Sequence, residues 1–298
     1  MLMILDYIKE KAEFINQALA ETMDQLEGVP PVLKESMKYS LLAGGKRIRP
    51  VLVLATVEAL NGDEEKALPF ACAIEMIHTY SLIHDDLPSM DNDDYRRGQL
   101  TNHKKFGEST AILAGDALLT EAFGLMAAGA KNAHLPLDVA LTIIEEGARC
   151  AGSRGMIAGQ IYDLQSENKK ISLAQLEQIH RLKTGDLIAF SVRTGAHIAG
   201  ASQRTLQALT EFAYGLGLAF QIQDDILDVI GDQEKLGKPV GSDQEKNKAT
   251  YPALLGLDEA KRKLSVCIEE AKGKIREHDE IRPARLLEIA DYLLSRDW

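Results

Sequence analysis

The sequence has few cysteines, and their arrangement restricts the kind of protein it can encode. Cys72, Cys150 and Cys267 are odd in number, lie far apart and form no Cys-x-x-Cys pair. This usage does not fit a disulfide framework or a Cys-x-x-Cys redox or metal motif. A reduced intracellular protein is the simplest interpretation.

Positive charge is also scarce. The 34 Lys and Arg residues are outnumbered by 45 Asp and Glu residues, which gives a net charge of −11. This balance argues against nucleic acid as the main partner, because phosphate backbones attract Lys and Arg. Small phosphorylated substrates remain compatible with it, since a local basic site or a bound cation can hold them.

Long hydrophobic runs are missing as well. No apolar stretch reaches the roughly 20 residues that a membrane span needs. The N-terminal run "MLMILDYIKEK" meets Asp6 after five residues, which is too short for the apolar part of a signal peptide. We therefore expect a soluble cytoplasmic protein without a membrane span.

Strand signals are absent and aromatic residues are few, at 5% of the total. Apolar residues recur at helical spacing, as at Ile4, Ile8 and Leu19. Turn-forming segments separate about ten such helices and lie at residues 28–31, 44–50, 61–64, 88–102, 166–172, 231–241 and 282–283. Several helices, such as "VLVLATVEAL", are apolar on most faces, which is typical of the middle of a bundle. We predict an all-α fold: a single helical domain over residues 1–298, with about ten or more helices around a central apolar pocket.

Two clusters of aspartates interrupt the apolar helices. In "QIQDDILDV", Asp224 and Asp228 are four residues apart, so both lie on one face of a helix. Like charges at this spacing repel each other, and a magnesium ion, which prefers carboxylate oxygens, would turn the repulsion into attraction. A solvated acidic face is the alternative. The flanking residues argue against it because they are apolar: Phe220, Ile222, Ile226, Leu227, Val229 and Ile230.

The other cluster lies earlier, in "SLIHDDLPSMDNDDYRRG". Asp85 and Asp91 are six residues apart, which would place them about 240° apart on a straight helix. Pro88 lies between them, and proline breaks the helical hydrogen-bond pattern. We therefore predict that the helix ends or bulges after Leu87 and that the extra residues bring Asp91 back toward Asp85.

Basic residues lie in turns near these clusters. Arg96 and Arg97 directly follow the first cluster, and two guanidinium groups beside metal-binding carboxylates suit a diphosphate. A second turn, "AGGKRIRP", carries Lys46, Arg47 and Arg49 beside two glycines and would suit a second diphosphate. Each turn alone could be an ordinary basic surface turn. Their combination with the aspartate clusters in an acidic protein is the informative feature, and further cationic candidates are Lys183, Lys238 and Lys248.

The order of these motifs resembles that of the trans-isoprenyl diphosphate synthases, and most of all their bacterial farnesyl diphosphate synthase class. The resemblance covers nearly the whole chain and is carried by "GGKRIRP", "EMIHTYSLIHDDLPSMDNDDYRRGQLTNHKKFGESTAILAGDALLTEAF", "GQIYDL", "LKTGDL", "GLAFQIQDDILDVIGD", "LGKPVGSD" and "KNKATYPALLG". It implies the all-α isoprenoid synthase fold, usually in a homodimer. The implied reaction is head-to-tail condensation of isopentenyl diphosphate with dimethylallyl or geranyl diphosphate to farnesyl diphosphate.

The resemblance also implies roles for individual residues. The ligands of roughly three magnesium ions would be Asp85, Asp86, Asp91, Asp224, Asp225 and Asp228. The residues for isopentenyl diphosphate would be Lys46, Arg49, His78 and Arg97. Those for the allylic diphosphate would be Arg96, Lys183, Thr184, Gln221, Lys238 and Lys248. The catalytic set would be Asp85, Asp91, Asp224 and Lys183.

Product length is expected to depend on the helix that leads to Asp85. Tyr80 lies five residues earlier, about 7.5 Å back along the helix axis, which is a little more than one extended isoprene unit. Ideal helical angles place Ser81 nearer to the Asp85 face, whereas the resemblance favours Tyr80 as the floor of the pocket. A core tyrosine with no influence on length is the alternative.

Other functions fit parts of the sequence. Glu75-x-x-His78 and Glu177-x-x-His180 match the ligand pairs of a di-iron helical bundle, but that function leaves the aspartate clusters and basic turns unexplained. A regulatory subunit without catalysis is disfavoured because all six aspartates are present. A terpene cyclase is disfavoured because the second motif reads "DDILD" and not an Asn-Ser-Glu type. Within the family, a geranylgeranyl diphosphate synthase is the alternative.

Overall fold

The computed structural model describes residues 2–230 and 248–295, and its regular structure is almost entirely α-helical. The prediction of an all-α fold is confirmed. The first helices are α1 (Leu2–Gln25), α2 (Pro31–Leu41), α3 (Ile48–Ala59), α4 (Glu64–Asp85), α5 (Asn102–Phe106), α6 (Glu108–Asn132) and α7 (Leu137–Ala151). They are followed by α8 (Met156–Ser166), α9 (Leu173–His180), α10 (Asp186–Ile198), α11 (Gln203–Ile230), α12 (Tyr251–Leu255), α13 (Leu257–Arg276) and α14 (Ala284–Ser295).

The predicted helix breaks agree with the observed ones wherever they fall on described residues. The break predicted at residues 231–241 lies outside the described residues. The chain divides into two compact units, one made of Leu2–Leu54 with Asp63–Ala140, and the other of Ala55–Gly62 with the chain from Leu141 onward. A single domain over residues 1–298 stays a prediction.

In the first unit, α4 packs along α6. Asp63 begins α4 by accepting a hydrogen bond from the backbone N–H of Glu65 at 3.0 Å, which satisfies one free donor of the first turn. Glycines on α6 permit close approach, because a Cβ at Gly129 would lie 2.7 Å from the Cβ of Pro69. Most of α4 is buried, as its apolar faces predict, so its C-terminal end is held firmly where the first aspartate cluster begins.

In the second unit, α11 packs against α10 and α13. A Cβ at Gly215 would lie 2.7 Å from the Cβ of Ala271, and a Cβ at Gly217 would lie 2.9 Å from the Cα of Gly185. Glycine therefore lets the neighbouring backbones approach α11 closely. This packing fixes the end of α11, which carries the second aspartate cluster. A short π-helical segment, Arg181–Gly185, joins α9 to α10.

A short β-hairpin departs from the expectation that the chain has no strands. Strands β1 (Tyr95–Arg96) and β2 (Gln99–Leu100) pair antiparallel. The two residues between them, Arg97 and Gly98, have φ angles of 53° and 75°, which is the left-handed geometry of the tightest hairpin turns. The loop predicted to carry Arg96 and Arg97 is therefore an ordered ribbon.

One described helix has the length and composition of a membrane span. α6 has 25 residues, and its most apolar window has a mean hydropathy of 1.5. This differs from the expectation that no stretch is long enough. A single helix of this kind is weak evidence for a span.

Candidate active site

The first aspartate cluster lies where α4 ends. The last helical residue is Asp85, and the following residues form turns around Pro88. The backbone N–H of Asp91 donates to the carbonyl oxygen of Asp85 at 2.8 Å, and that of Met90 donates to Leu87 at 2.9 Å. The predicted return of Asp91 toward Asp85 is therefore present in the backbone. Both side chains are half-buried.

The middle aspartate of this cluster, Asp86, is bound to Arg96. Its carboxylate accepts from Nε of Arg96 at 2.8 and 2.9 Å and from Nη2 at 2.6 Å. Asp86 is only 3% exposed. Burial disfavours the charged guanidinium, but the hydrogen bond and negative charge of Asp86 outweigh it and raise the pKa of Arg96. The pair therefore ties the β-hairpin to the end of α4 and fixes a permanent positive charge there.

The residues predicted for isopentenyl diphosphate gather around the turn after α2. Nη1 of Arg97 donates to the carbonyl oxygen of Gly44. Gly45 has a φ of 118°, and a Cβ there would lie 2.6 Å from Cζ of Arg97. Only glycine therefore permits this contact between the basic turn and the β-hairpin.

His78 extends this group from α4. Its Nε2 lies 3.4 Å from Nη1 of Arg49. Burial, reinforced by the charges of Arg49 and Arg97, holds the pKa of His78 well below its usual range. Burial likewise lowers the pKa of Arg97. A neutral imidazole can accept a hydrogen bond from the guanidinium of Arg49 and orient it. Lys46, the remaining member, is half-buried in the same turn.

The second aspartate cluster lies near the end of α11. Asp224 is half-buried, whereas Asp225 and Asp228 are buried. Oδ2 of Asp225 accepts a hydrogen bond from the backbone N–H of Tyr251 at 2.9 Å. This bond holds the start of α12, three residues after Lys248, against the cluster.

The residues predicted for the allylic diphosphate form a second group in this unit. Oγ1 of Thr184 donates to Oε1 of Gln221 at 2.8 Å. Nζ of Lys183 donates to Oδ2 of Asp163 at 2.7 Å, and Nζ of Lys248 lies 3.9 Å from the same oxygen. The π-helical segment brings Lys183 close to α8. Lys238, the other predicted member, lies outside the described residues.

Sequence reasoning missed Asp163, which holds two of the predicted lysines. It belongs to "GQIYDL", a motif that carried the family resemblance without any residue role. A Cβ at Gly159, in the same motif, would lie 2.2 Å from the backbone nitrogen of Lys183. Gly159 thus allows the backbone of Lys183 to approach α8, and Asp163 binds its side chain. The motif "GQIYDL" was the sequence signal from which this role could have been predicted.

The two residues expected to set product length lie on α4. Tyr80 is 6% exposed, and its ring meets that of His84 edge-on with 5.7 Å between centroids. Burial, and secondarily the charge of Asp85, raises the pKa of Tyr80 to about 12. Oγ of Ser81 donates to the carbonyl oxygen of His78 at 2.8 Å. Tyr80 is therefore the bulky packed side chain of the two.

The carboxylates suit magnesium by their chemistry. Across residues 2–230 and 248–295, no three His, Cys, Asp or Glu side chains converge on a preformed metal site. Magnesium does not require such a cage, because it is commonly held by one or two carboxylates together with substrate phosphates and water. Half-buried carboxylates at Asp85, Asp91 and Asp224 fit that mode of binding.

Comparison with known protein families matches residues 30–284 to the family described as Polyprenyl synthetase. The chain belongs to the polyprenyl synthetase family. The resemblance to the isoprenyl diphosphate synthases is thereby confirmed. Neither Glu-x-x-His pair supports the di-iron alternative, because Glu75 pairs with Arg47 and Glu177 with Lys263, each at 2.6 Å.

Individual members of the family resemble the chain over its whole length. It is 54% identical to a farnesyl diphosphate synthase from Geobacillus stearothermophilus over 99% of both chains. It is 46% identical to a geranylgeranyl diphosphate synthase from Cyanophora paradoxa, over 99% of this chain and 97% of that one. The solved apo structure of an FPP/GFPP synthase from Zymomonas mobilis covers 99% of both chains, with a TM-score of 0.87 and 34% identity.

Proposed function

We propose that the protein is a prenyltransferase that joins isopentenyl diphosphate head to tail to dimethylallyl or geranyl diphosphate, with farnesyl diphosphate as the product. The observation that carries the proposal is that each compact unit holds one aspartate cluster and its own group of cations, in a protein of net charge −11. High identity over the full length to a farnesyl diphosphate synthase supports the same activity.

The family resemblance assigns both aspartate clusters to magnesium and the allylic diphosphate. Asp85, Asp91, Asp224 and Asp228 would hold magnesium, which, when bound, stabilises negative charge on the leaving diphosphate. Arg96, Lys183 and Lys248 would contact the remaining oxygens. Asp86 and Asp163 keep these cations in place by hydrogen bonds and ion pairs. The number of magnesium ions, roughly three by the family resemblance, is part of the proposal.

Isopentenyl diphosphate would bind at the basic turn, to Lys46, Arg49, His78 and Arg97. Two guanidinium groups can each donate a pair of hydrogen bonds to a diphosphate. His78 would also help to orient Arg49, whose Nη1 lies 3.4 Å from its Nε2. Separate cation groups for the two diphosphates would orient the substrates so that the allylic carbon meets the double bond of isopentenyl diphosphate.

The chemistry requires charge stabilisation more than a protein nucleophile. The allylic carbon–oxygen bond breaks, and its electron pair leaves with the diphosphate. The resulting allylic cation accepts the double-bond electrons of isopentenyl diphosphate, which forms the new carbon–carbon bond. Loss of one proton, which the departed diphosphate can accept, restores the double bond. Preplaced cations stabilise the leaving group without reorganisation, and exclusion of water protects the cation.

Product length separates the two candidate activities. Higher identity to the farnesyl diphosphate synthase than to the geranylgeranyl diphosphate synthase favours the fifteen-carbon product. The buried ring of Tyr80 on α4 supports the same choice. Incubation with isopentenyl diphosphate, geranyl diphosphate and magnesium, followed by chromatography, tests the proposal. A twenty-carbon main product would favour the alternative, and no condensation product would overturn the activity.

A homodimer and a cytoplasmic location complete the proposal. Both are supported by the resemblance of the chain to the trans-isoprenyl diphosphate synthases. Light scattering of the purified protein at micromolar concentration tests the assembly, and a mass of one chain, 32.7 kDa, would contradict it. Fractionation of the source cells tests the location.

A further inference from the structure

Arg47 is buried inside the protein, whereas the neighbouring cations of the basic turn, Lys46 and Arg49, are predicted to bind substrate. It is 2% exposed. Its Nε donates to Oδ1 of Asn16 on α1 at 2.8 Å, its Nη1 to Oε1 of Glu75 on α4 at 2.6 Å, and its Nη2 to the carbonyl oxygen of Leu41 at the end of α2 at 2.6 Å. Each guanidinium nitrogen therefore binds a different helix.

The backbone of the turn requires such external support. Gly44, Gly45 and Arg47 have φ angles of 87°, 118° and 51°. The left-handed region is open to glycine, but it is unfavourable for a residue with a side chain. Such a conformation persists where surrounding contacts determine it. The three hydrogen bonds of the Arg47 side chain supply those contacts.

The pair connects the two parts of the candidate isopentenyl diphosphate site. Arg47 lies between Lys46 and Arg49 in the chain, so its anchorage sets where both side chains leave the backbone. Glu75 lies three residues before His78, and positions three apart share a helix face. The Arg47–Glu75 ion pair thus links the basic turn to the face of α4 that presents His78, whose Nε2 lies 3.4 Å from Arg49.

Stability alone does not account for an ion pair at this depth. Glu75 is 1% exposed, and removing two charges from water has a cost that their attraction offsets only in part. Apolar side chains of similar volume commonly serve stability as well or better. Hydrogen bonds from Arg47 to three helices are, in contrast, suited to holding the backbone of the basic turn in one conformation.

We propose that the Arg47–Glu75 ion pair is a positioning device for the isopentenyl diphosphate pocket, and that neither side chain contacts the substrate. The inference rests on the proposed function, since it names the second substrate of that reaction. It assigns to Arg47 a different task from that of the neighbouring cations. Arg47 and Glu75 hold the turn in the one backbone shape in which Lys46, Arg49 and His78 face a single diphosphate.

The decisive variant removes both charges together. Arg47→Met/Glu75→Leu fills the same space with apolar atoms and leaves no unpaired buried charge, so we expect it to fold. Its dissociation constant for isopentenyl diphosphate, measured by calorimetry without the allylic substrate, should rise at least tenfold. Its KM for isopentenyl diphosphate should rise in parallel, and its KM for geranyl diphosphate should stay within twofold of the wild-type value.

A matched ion pair in the same unit provides the control. Lys11 and Glu64 lie 2.6 Å apart with part-exposed side chains, and neither belongs to the candidate site. Lys11→Met/Glu64→Leu should leave both KM values and the dissociation constant unchanged. Glu75→Gln, which keeps one acceptor oxygen for Nη1 of Arg47, should fall between the wild type and the double variant. Partial recovery of affinity by Glu75→Gln is expected if the ion pair positions the basic turn.

Three results would overturn the inference. One is a folded Arg47→Met/Glu75→Leu variant with wild-type affinity for isopentenyl diphosphate. Another is an equal rise in the KM of both substrates, which would indicate general loosening. If the double variant does not fold, the test uses Arg47→Lys, which keeps the charge but cannot make all three hydrogen bonds of the guanidinium. Unchanged affinity of this variant for isopentenyl diphosphate would overturn the inference, and weaker affinity would support it. A wild-type protein that binds isopentenyl diphosphate without condensing it would contradict the proposed function alone, because the binding constants still report on the ion pair.

Discussion

Asp225 binds the backbone N–H of Tyr251 through its Oδ2 at 2.9 Å, so the middle aspartate of the second cluster holds a neighbouring segment of the chain. Asp86 has the same place in the first cluster, and its carboxylate is occupied by Arg96. In both clusters the middle aspartate therefore anchors a segment that carries a predicted substrate cation, Arg96 or Lys248. Of the outer aspartates, Asp85, Asp91 and Asp224 are half-buried, whereas both middle aspartates are buried, so these outer carboxylates are the stronger candidates for magnesium.

The first prediction concerns those outer aspartates. Asp85→Ala and Asp224→Ala should each lower kcat by at least a hundredfold, because loss of metal-based charge stabilisation is worth several kcal/mol and each 1.36 kcal/mol is tenfold in rate. Steady-state kinetics with saturating magnesium would measure the effect. Asp138→Ala, at an exposed aspartate of α7, is the matched control. Near-normal turnover by either folded variant, or by the wild type in excess EDTA, would contradict the metal assignment.

The second prediction concerns Asp225, to which we assign an anchoring role and not a metal-binding one. Asp225→Ala leaves the buried N–H of Tyr251 without its acceptor, which should cost about 1–3 kcal/mol of unfolding free energy. It should also raise the KM of the allylic substrate, because the segment that carries Lys248 loses its anchor. Asp225→Asn keeps an acceptor oxygen, so its unfolding free energy and its KM for the allylic substrate should both lie near the wild-type values. Denaturant unfolding and kinetics would show this, and equal behaviour of the Ala and Asn variants would refute the anchoring role.

The third prediction tests the two diphosphate pockets against each other. Arg49→Ala should raise the KM of isopentenyl diphosphate at least tenfold with little effect on the KM of geranyl diphosphate. Lys183→Ala should do the reverse, because Lys183 binds Asp163 and its neighbour Thr184 binds Gln221, three residues before Asp224. Initial rates with each substrate varied in turn would measure both constants. Parallel changes in the two variants would speak against separate pockets.

Sequence patterns predicted the local features of this protein well. Turn-forming residues predicted six of the observed helix breaks, but not those at residues 107, 133–136, 152–155, 199–202 and 256. The spacing around Pro88 predicted the return of Asp91 to the carbonyl of Asp85. These features depend on residues close together in the chain. The hairpin at residues 95–100 was missed because its turn uses Arg97 at a positive φ, which is uncommon for a residue with a side chain.

The pairings that organise the site could not be predicted in this way. Arg47 and Glu75 are 28 residues apart, and Asp225 and Tyr251 are 26 apart. Periodicity shows which face of a helix is apolar, but it does not show which distant residue will meet a buried charge. Sequence reasoning therefore grouped Arg47 with the substrate cations, whereas the structure places it among three helices.

The fourth prediction concerns pH and stability. Burial lowers the pKa of His180 to about 4, with the charge of Lys183 adding to it and Asp163 opposing it. Because the unfolded chain takes up this proton near pH 6.5 and the folded chain does not, stability is full above pH 6.5 and falls as the pH drops toward 4, by up to about 3 kcal/mol. His180→Gln should flatten this part of the profile. Denaturant unfolding from pH 4 to 8 would measure it, and an unchanged slope would contradict the assignment.

The last prediction concerns product length. In the proposed reaction the growing chain would extend from the allylic diphosphate toward Tyr80, which lies about 7.5 Å before Asp85 along the axis of α4. Its ring is held in place by burial and by the edge-on contact with His84, so it cannot move aside without loss of packing. Tyr80→Ala should therefore open the floor of the pocket and shift the main product from fifteen carbons to twenty or more.

Tyr80→Phe keeps the ring and should retain the fifteen-carbon product, which makes it the control for loss of the hydroxyl alone. Chromatography of products formed with excess isopentenyl diphosphate would measure both variants. An active Tyr80→Ala variant that still stops at fifteen carbons would assign the floor to another side chain and leave Tyr80 as a core residue.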